Sequence, residues 1–171
     1  MGDGMQRRNQ PRISKRTLLA LTFSLTAVLL SACGGSSVPN TSSNLPSVTG
    51  EQGKAPVISA PQGTPPTTLI TKDIFVGTGD PAVATSTLTV HYTLMAWSTG
   101  KVVESSWTSG SPATFALAQV VKGWQQGIPG MQKGGRRLLV IPPSLGYGAA
   151  GAGPIGANET LIFVVDVIDI K

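Results

Sequence analysis

Side chains able to do chemistry are scarce in this chain, and the scarcity narrows its function. One histidine, His91, and one cysteine, Cys33, leave no partner for an intrachain disulfide and too few ligands for a His/Cys metal cage. No metal and no cofactor are expected. No nucleophile–base pair stands out either: His91 alternates with apolar neighbours as on a half-exposed strand, the serines gather in turns, and no paired carboxylates fall in an expected cleft. The run Gly146-Tyr147-Gly148-Ala149-Ala150-Gly151 fits G-x-G-x-x-G, but that fingerprint works only between a strand and a helix whose N–H groups meet a pyrophosphate. Here prolines precede it and more Gly, Ala and Pro follow, so a loop is expected. What remains is an apolar set with one acid: Tyr92, Glu104, Phe115, Val120, Val121, Trp124, Tyr147, Ile155 and Phe163. Such a set offers shape and exclusion of water rather than proton transfer.

The element that must position most of it is the stretch Val120 to Met131. Apolar residues at 120, 121, 124, 128 and 131 lie three and four apart, the spacing of one helix face, before Gly127, Pro129 and Gly130 stop the run. About two turns result, short of the ~12 to 15 residues an isolated helix needs in water. Something has to wrap it, and the neighbouring sequence supplies strands. Thr87 to Trp97 alternates with Leu88, Val90, Tyr92 and Leu94 on one face and Thr89, His91 and Thr93 on the other. A turn at Ser98–Lys101 leads back into Val102–Ser106 as an antiparallel hairpin would. Leu69–Val76, Ala113–Leu117, Arg136–Ile141 and Thr160–Ile170 complete the set, the last with Leu161, Phe163, Val165 and Val167 on one face. The expected class is α+β: an antiparallel sheet of five or six strands around one short helix with Trp124 in its concavity. A buried indole there calls for a partner for its N–H.

The net charge of +5 is misleading as a nucleic-acid signal. Arg7, Arg8, Arg12, Lys15 and Arg16 all precede the first apolar run, and beyond Cys33 eight basic residues face seven acidic ones. No nucleic-acid partner is expected, and the small cluster Lys133, Arg136 and Arg137 is read as a solvated strand end. Residues 1–33 have the form of an export signal, with a basic start, an apolar core from Leu18 to Leu30 too short to span a membrane, and small residues at the end. Leu30-Ser31-Ala32-Cys33 resembles the lipobox of bacterial lipoproteins, in which the cysteine is lipidated and becomes the new N-terminus. Cys33 is then a membrane anchor, and Gly34 after it, rather than Asp, favours the outer membrane in a Gram-negative cell. Residues 34–68 are Gly, Ser, Thr, Pro, Asn and Gln-rich without an aromatic, the composition of a disordered linker. Residues 69–171 form the domain.

Across that domain the sequence is similar to the FKBP-type peptidyl-prolyl isomerases. The resemblance rests on Val90-His91-Tyr92-Thr93, Gly100-Lys101 leading to Ser105-Ser106, Phe115-Ala116-Leu117, Val120-Val121-Lys122-Gly123-Trp124, Gly130-Met131, Ile141-Pro142-Pro143, Tyr147-Gly148 and Thr160-Leu161-Ile162-Phe163, in order and in register. It implies a twisted antiparallel sheet around a short helix and a pocket floored by Trp124. Tyr92, Glu104, Trp124, Tyr147 and Phe163 are the implied catalytic residues. Val103, Phe115, Val120, Val121 and Ile155 are the implied substrate contacts, with Tyr92 hydrogen-bonded to the acid at 104. The implied partners are proline-containing peptides and unfolded or partly folded proteins, and the family's macrolide inhibitors.

This chemistry accounts for the missing acids, bases and metals. Rotation about a peptide bond costs ~18 to 20 kcal/mol because it breaks amide resonance. The twisted amide is less polar than the planar one, so an apolar, water-poor pocket favours it. A ten-thousandfold acceleration needs only about 5.5 kcal/mol. The chain departs from the resemblance at Val103 for a usual Phe, Glu104 for Asp, Ala113 for a frequent Phe, and Gly156-Ala157 for Pro-Pro. Two readings therefore stand together: a tethered isomerase assisting envelope protein folding, and a non-catalytic peptide-binding or chaperone module using the same pocket.

Overall fold

From Leu161 to Val167 every side chain is buried, the polar Asp166 included. A strand without an exposed face has to lie inside a sheet covered on both sides. The computed structural model describes residues 44–171 and places it so. In chain order the elements are β1 (Val48–Thr49), β2 (Val57–Ile58), β3 (Ile70–Phe75), β4 (Thr87–Ala96), β5 (Val102–Ser105), α1 (Ser106–Ser109), β6 (Ala113–Ala116), α2 (Lys122–Gly127), β7 (Arg136–Ile141) and β8 (Leu161–Ile170). Among the described residues six strands make one antiparallel sheet in the order β3-β7-β8-β4-β5, with β6 also paired to β4. This is the expected α+β architecture.

The two faces follow from strand parity. In β8 the odd residues Phe163, Val165 and Val167 join Leu139 and Ile141 of β7 and Leu88, Val90 and Leu94 of β4 in the main core, on which α2 sits. The helix is shorter than the apolar spacing suggests, and Trp124, Ile128 and Met131 are its buried anchors. Two glycines allow the close approach. A Cβ on Gly123 would lie 2.4 Å from Ile141 Cγ2, and one on Gly127 2.5 Å from Leu139 Cδ2. Pro129 then blocks continuation, and Arg137 donates from Nη1 to the carbonyls of Gly127 at 2.7 Å and Pro129 at 3.3 Å while pairing with Asp73 at 2.6 Å.

The opposite face corrects the linker boundary. Residues 44–68 are ordered: β1 and β2 pair antiparallel, and Leu45, Val48 and Ile58 pack on Met95, Trp97, Leu138, Val140, Ile162 and Val164. Polar composition hid this, because a strap needs only a few apolar side chains when its main chain finds partners. Gln52 Nε2 donates to the Gly134 carbonyl at 2.6 Å, and Trp97 Nε1 donates to that of Gly63 at 3.3 Å. Arg136 provides the strongest anchor. Far from being solvated, its side chain is wholly buried, pairs with Asp166 at 2.7 Å, and donates to the carbonyls of Glu51 at 3.4 Å and Lys54 at 2.5 Å. Burial outweighs the Arg136 contact at Asp166 and raises its carboxyl above the ordinary range. Residues 1–43, which contain the expected signal, Cys33 and the first part of the expected linker, lie outside the described residues. Among the described residues no helix is long and apolar enough to cross a membrane.

Candidate active site

The site lies where β4, β8 and α2 meet. Alternation on β4 points Tyr92 and Leu94 to the helix side, and the register that sets Leu94 opposite Phe163 puts Phe163 beside them. Leu88 opposite Phe115 on β6 brings in a third ring. Trp124, 4% exposed, projects from α2 between them. The indole meets Phe163 at 5.3 Å between centroids, Phe115 at 5.8 Å and Tyr92 at 6.0 Å, with interplanar angles of 83°, 83° and 82°. Three edge-on rings around one flat ring make walls around a floor, and such contacts are the favoured aromatic geometry.

The resulting concavity encloses about 400 Å³ and is completed by Val120, Val121, Glu104 and Tyr147. Gln125 holds the turn that carries the two valines, donating from Nε2 to the Val120 carbonyl at 2.7 Å. At the rim Tyr92 donates its hydroxyl to Glu104 Oε1 at 2.5 Å. Burial first, and then the Glu104 hydrogen bond and charge, raise the Tyr92 phenol above its usual value, so it stays protonated and remains a donor. The expected partner for the indole is not found: Trp124 Nε1 is buried with none among the described residues.

Eight of the ten residues named from sequence therefore share this concavity. Ile155 and Val103 do not. Ile155 is 8% exposed and sits in the main core under the 142–160 loop, where it exchanges main-chain hydrogen bonds with Ala152. Val103 packs against the core from β5 and lines an adjoining groove together with Ala113. Two lining residues lay outside the site predicted from sequence. Leu94 was legible as core on the correct face, whereas nothing in the sequence marked Gln119. His91 also has closer company than a plain strand histidine: it stacks on Trp107 at 3.9 Å, and its Nδ1 lies 2.9 Å from Ser106 Oγ.

A sheet wrapped on a short helix here closes an aromatic well whose size and edge-on walls suit a compact apolar ring. Comparison with known proteins agrees. The sequence profile of the FKBP-type peptidyl-prolyl cis-trans isomerases matches residues 79–168, and the chain belongs to that family. It is 47% identical over 119 residues to an FK506-binding protein of Streptomyces anulatus, covering 67% of this chain and 96% of that one. It is 42% identical over 113 residues to a probable FK506-binding protein of Corynebacterium glutamicum, covering 66% and 96%. Among solved structures, AtFKBP13 superposes with a TM-score of 0.56 at 37% identity over 63% of this chain and 96% of that one. FkpA from Escherichia coli gives 0.58 at 38% identity over 60% and 48%. The chain is thus a peptidyl-prolyl cis-trans isomerase of a family that binds proline-containing peptides and macrolides.

Proposed function

We propose that this isomerase works tethered to a bacterial membrane, on X-Pro bonds of proteins folding in the cell envelope, with the Trp124 concavity as its proline site. The observation that carries the site assignment is the set of three rings standing edge-on around a buried indole. A proline ring laid on that floor leaves its preceding amide among apolar walls, where the less polar twisted amide is favoured over the planar one. Tyr147 and the Val121 main chain hold the flanking carbonyls, and the Tyr92–Glu104 bond fixes the rim. The tether is Cys33, supported by the Leu30-Ser31-Ala32-Cys33 run after an apolar core. Two or more acyl chains hold a protein stably on a bilayer, where one does not.

A proline-limited refolding assay with the full chain in detergent tests the site. The protein accelerates refolding, and Phe163→Ala or Trp124→Ala lowers kcat/KM about tenfold or more, the effect of losing ~1.4 kcal/mol of transition-state stabilisation. No rate increase over buffer, with peptide binding retained, moves the reading to a non-catalytic binding module. For the tether, Cys33→Ala releases the protein from the membrane fraction. A variant that stays membrane-bound with its signal removed rules out lipidation as the anchor.

A further inference from the structure

Along one edge of β4 the sheet is interrupted. β6 pairs with β4 from Thr87 to Val90 and β5 pairs with it from Thr93 to Met95, so His91 and Tyr92 have no strand beside them on that edge. Main-chain polar groups buried there need other partners. The segment joining β5 to β6 supplies them from side chains. Tyr92 N–H donates to Ser106 Oγ at 2.9 Å, and the Tyr92 carbonyl lies 3.3 Å from the hydroxyls of both Ser105 and Ser106. Ser105, at the N-cap of α1, correspondingly makes no side-chain capping bond to the helix. The turn itself is held by Ser109 Oγ, which donates to the Ser106 carbonyl at 2.9 Å, and by Gly110 at φ 73°, a conformation that suits glycine.

Alternation sends the Tyr92 ring into the Trp124 concavity and His91 to the opposite face, where Asp166 is its cross-strand neighbour. His91 nevertheless reaches the same serine, with Nδ1 2.9 Å from Ser106 Oγ. Its ring is stacked on Trp107 at 3.9 Å and 15°, which fixes the imidazole plane with Nδ1 toward the hydroxyl. A hydroxyl has one proton to donate and two lone pairs with which to accept. Nδ1 is closer to the buried Ser106 Oγ than the Tyr92 carbonyl is. Donating its proton to His91 leaves Ser106 with a lone pair turned to Tyr92 N–H.

We propose that His91 and Ser106 are positioning residues of the isomerase: His91, from the far face of the sheet, orients the Ser106 hydroxyl that holds the Tyr92 main chain where β4 has no strand beside it. Neither touches substrate. They act through Tyr92, whose ring walls the concavity and whose hydroxyl makes the rim bond to Glu104. A shift in the Tyr92 main chain moves that hydroxyl with it. The role rests on the Trp124 concavity being the proline site, and it gives the otherwise unused His91 a part in turnover.

The test measures kcat/KM of the full chain in detergent on a proline-containing peptide, scaled to the folded fraction from urea titration. His91→Phe keeps a ring against Trp107 but loses the acceptor at Nδ1, and kcat/KM falls about threefold to tenfold, the rate equivalent of one neutral hydrogen bond. Ser106→Ala removes the link from its other end and reproduces that loss where His91→Phe folds poorly. His91→Asn gives up the stack but returns an acceptor near the Nδ1 position, and recovers kcat/KM to within about twofold of wild type. In a Tyr92→Phe background His91→Phe costs less than about twofold, because the rim bond it serves is already gone. Wild-type kcat/KM in His91→Phe, no recovery in His91→Asn, or the same factor lost in both backgrounds overturns the positioning role. Phe163→Ala is measured in parallel. If it lowers turnover while His91→Phe does not, the positioning role alone falls. If it leaves turnover intact, the concavity assignment falls and the role falls with it.

Discussion

Replacing Arg136 by Met removes a wholly buried guanidinium and keeps comparable volume. The wild-type side chain bonds Asp166 and the Glu51 and Lys54 carbonyls, and its guanidinium sits 5.4 Å from the centre of the Phe75 ring. The variant strands the Asp166 carboxylate, whose Oδ2 already lacks a partner, at a position 5% exposed. Breaking a buried pair by deleting one member costs ~3 to 5 kcal/mol, chiefly because an uncompensated charge remains. For a folded unit of this size that lowers Tm by roughly 10 to 20 °C. Urea unfolding of the full chain, followed by tryptophan emission, measures the loss directly.

The pH dependence separates charge from packing. Burial already raises the Asp166 carboxyl, and the opposing groups are Arg136 and, across the sheet, His91. Removing Arg136 raises the carboxyl further. A group whose folded value is raised contributes stability that is fully present below its unfolded value near 4 and is lost as pH rises through the folded value. The Arg136→Met deficit is therefore smallest near pH 4 and largest at neutral pH, and Asp166→Leu added to it restores most of the loss. A deficit under about 1 kcal/mol at neutral pH, a deficit that does not change with pH, or a double variant no better than the single one refutes the buried-charge account.

Other perturbations bear on the site itself. Gly123→Ala forces a methyl into Ile141 and destabilises by about 1 to 3 kcal/mol, with a change in Trp124 emission; an unchanged melting curve contradicts the close helix–sheet contact. Tyr92→Phe keeps the ring and loses the rim bond, so kcat/KM falls while stability drops by only about 0.5 to 1.5 kcal/mol in urea titrations. Because burial, and then the Glu104 hydrogen bond and charge, raise the Tyr92 phenol above its ordinary value of about 10, its protonated form and the stability it contributes persist below that pH and are lost only on further alkalisation. kcat/KM then shows no Tyr92 titration between pH 7 and 10, and a fall that Tyr92→Phe abolishes in that interval contradicts the shift.

The helix-side face of the sheet was legible in the sequence because its signals are local. Leu88, Val90, Tyr92 and Leu94 alternate, Phe163 and Val165 alternate, and Trp124 lies in an apolar spacing that cannot support itself. Strand pairing then makes the site nearly inevitable. Residues 44–68 were not legible, since Leu45, Val48 and Ile58 are too dilute among Ser, Pro and Gly to show periodicity, and their partners lie on the far side of strands already assigned a function. Arg136 misled for a related reason. Its burial depends on main-chain carbonyls more than 80 residues away in sequence, which no local pattern encodes. That Ile155 packs in the core beside Trp124 and Phe163 rather than lining the concavity could not be read from the sequence, because a Gly/Ala-rich loop has no periodic signal to set its register.

Parity along β8 connects these results. Odd positions carry Phe163 and Val165 to the helix side, where Phe163 also lines the Trp124 concavity, while Ile162, Val164 and Asp166 hold the strap on the other side. One sheet thus separates the strap of residues 44–68 from the Trp124 concavity. A change in the strap acts on the site through the shared backbone of β4, β7 and β8, whose strands are hydrogen-bonded to one another from Arg136–Asp166 to Ile141–Leu161 and from Val90–Val167 to Ala96–Leu161. Strap variants therefore lower the population of folded enzyme before they alter its turnover. In Arg136→Met the kcat/KM per folded molecule stays near wild type at temperatures below its lowered midpoint, even as the thermal range of activity contracts.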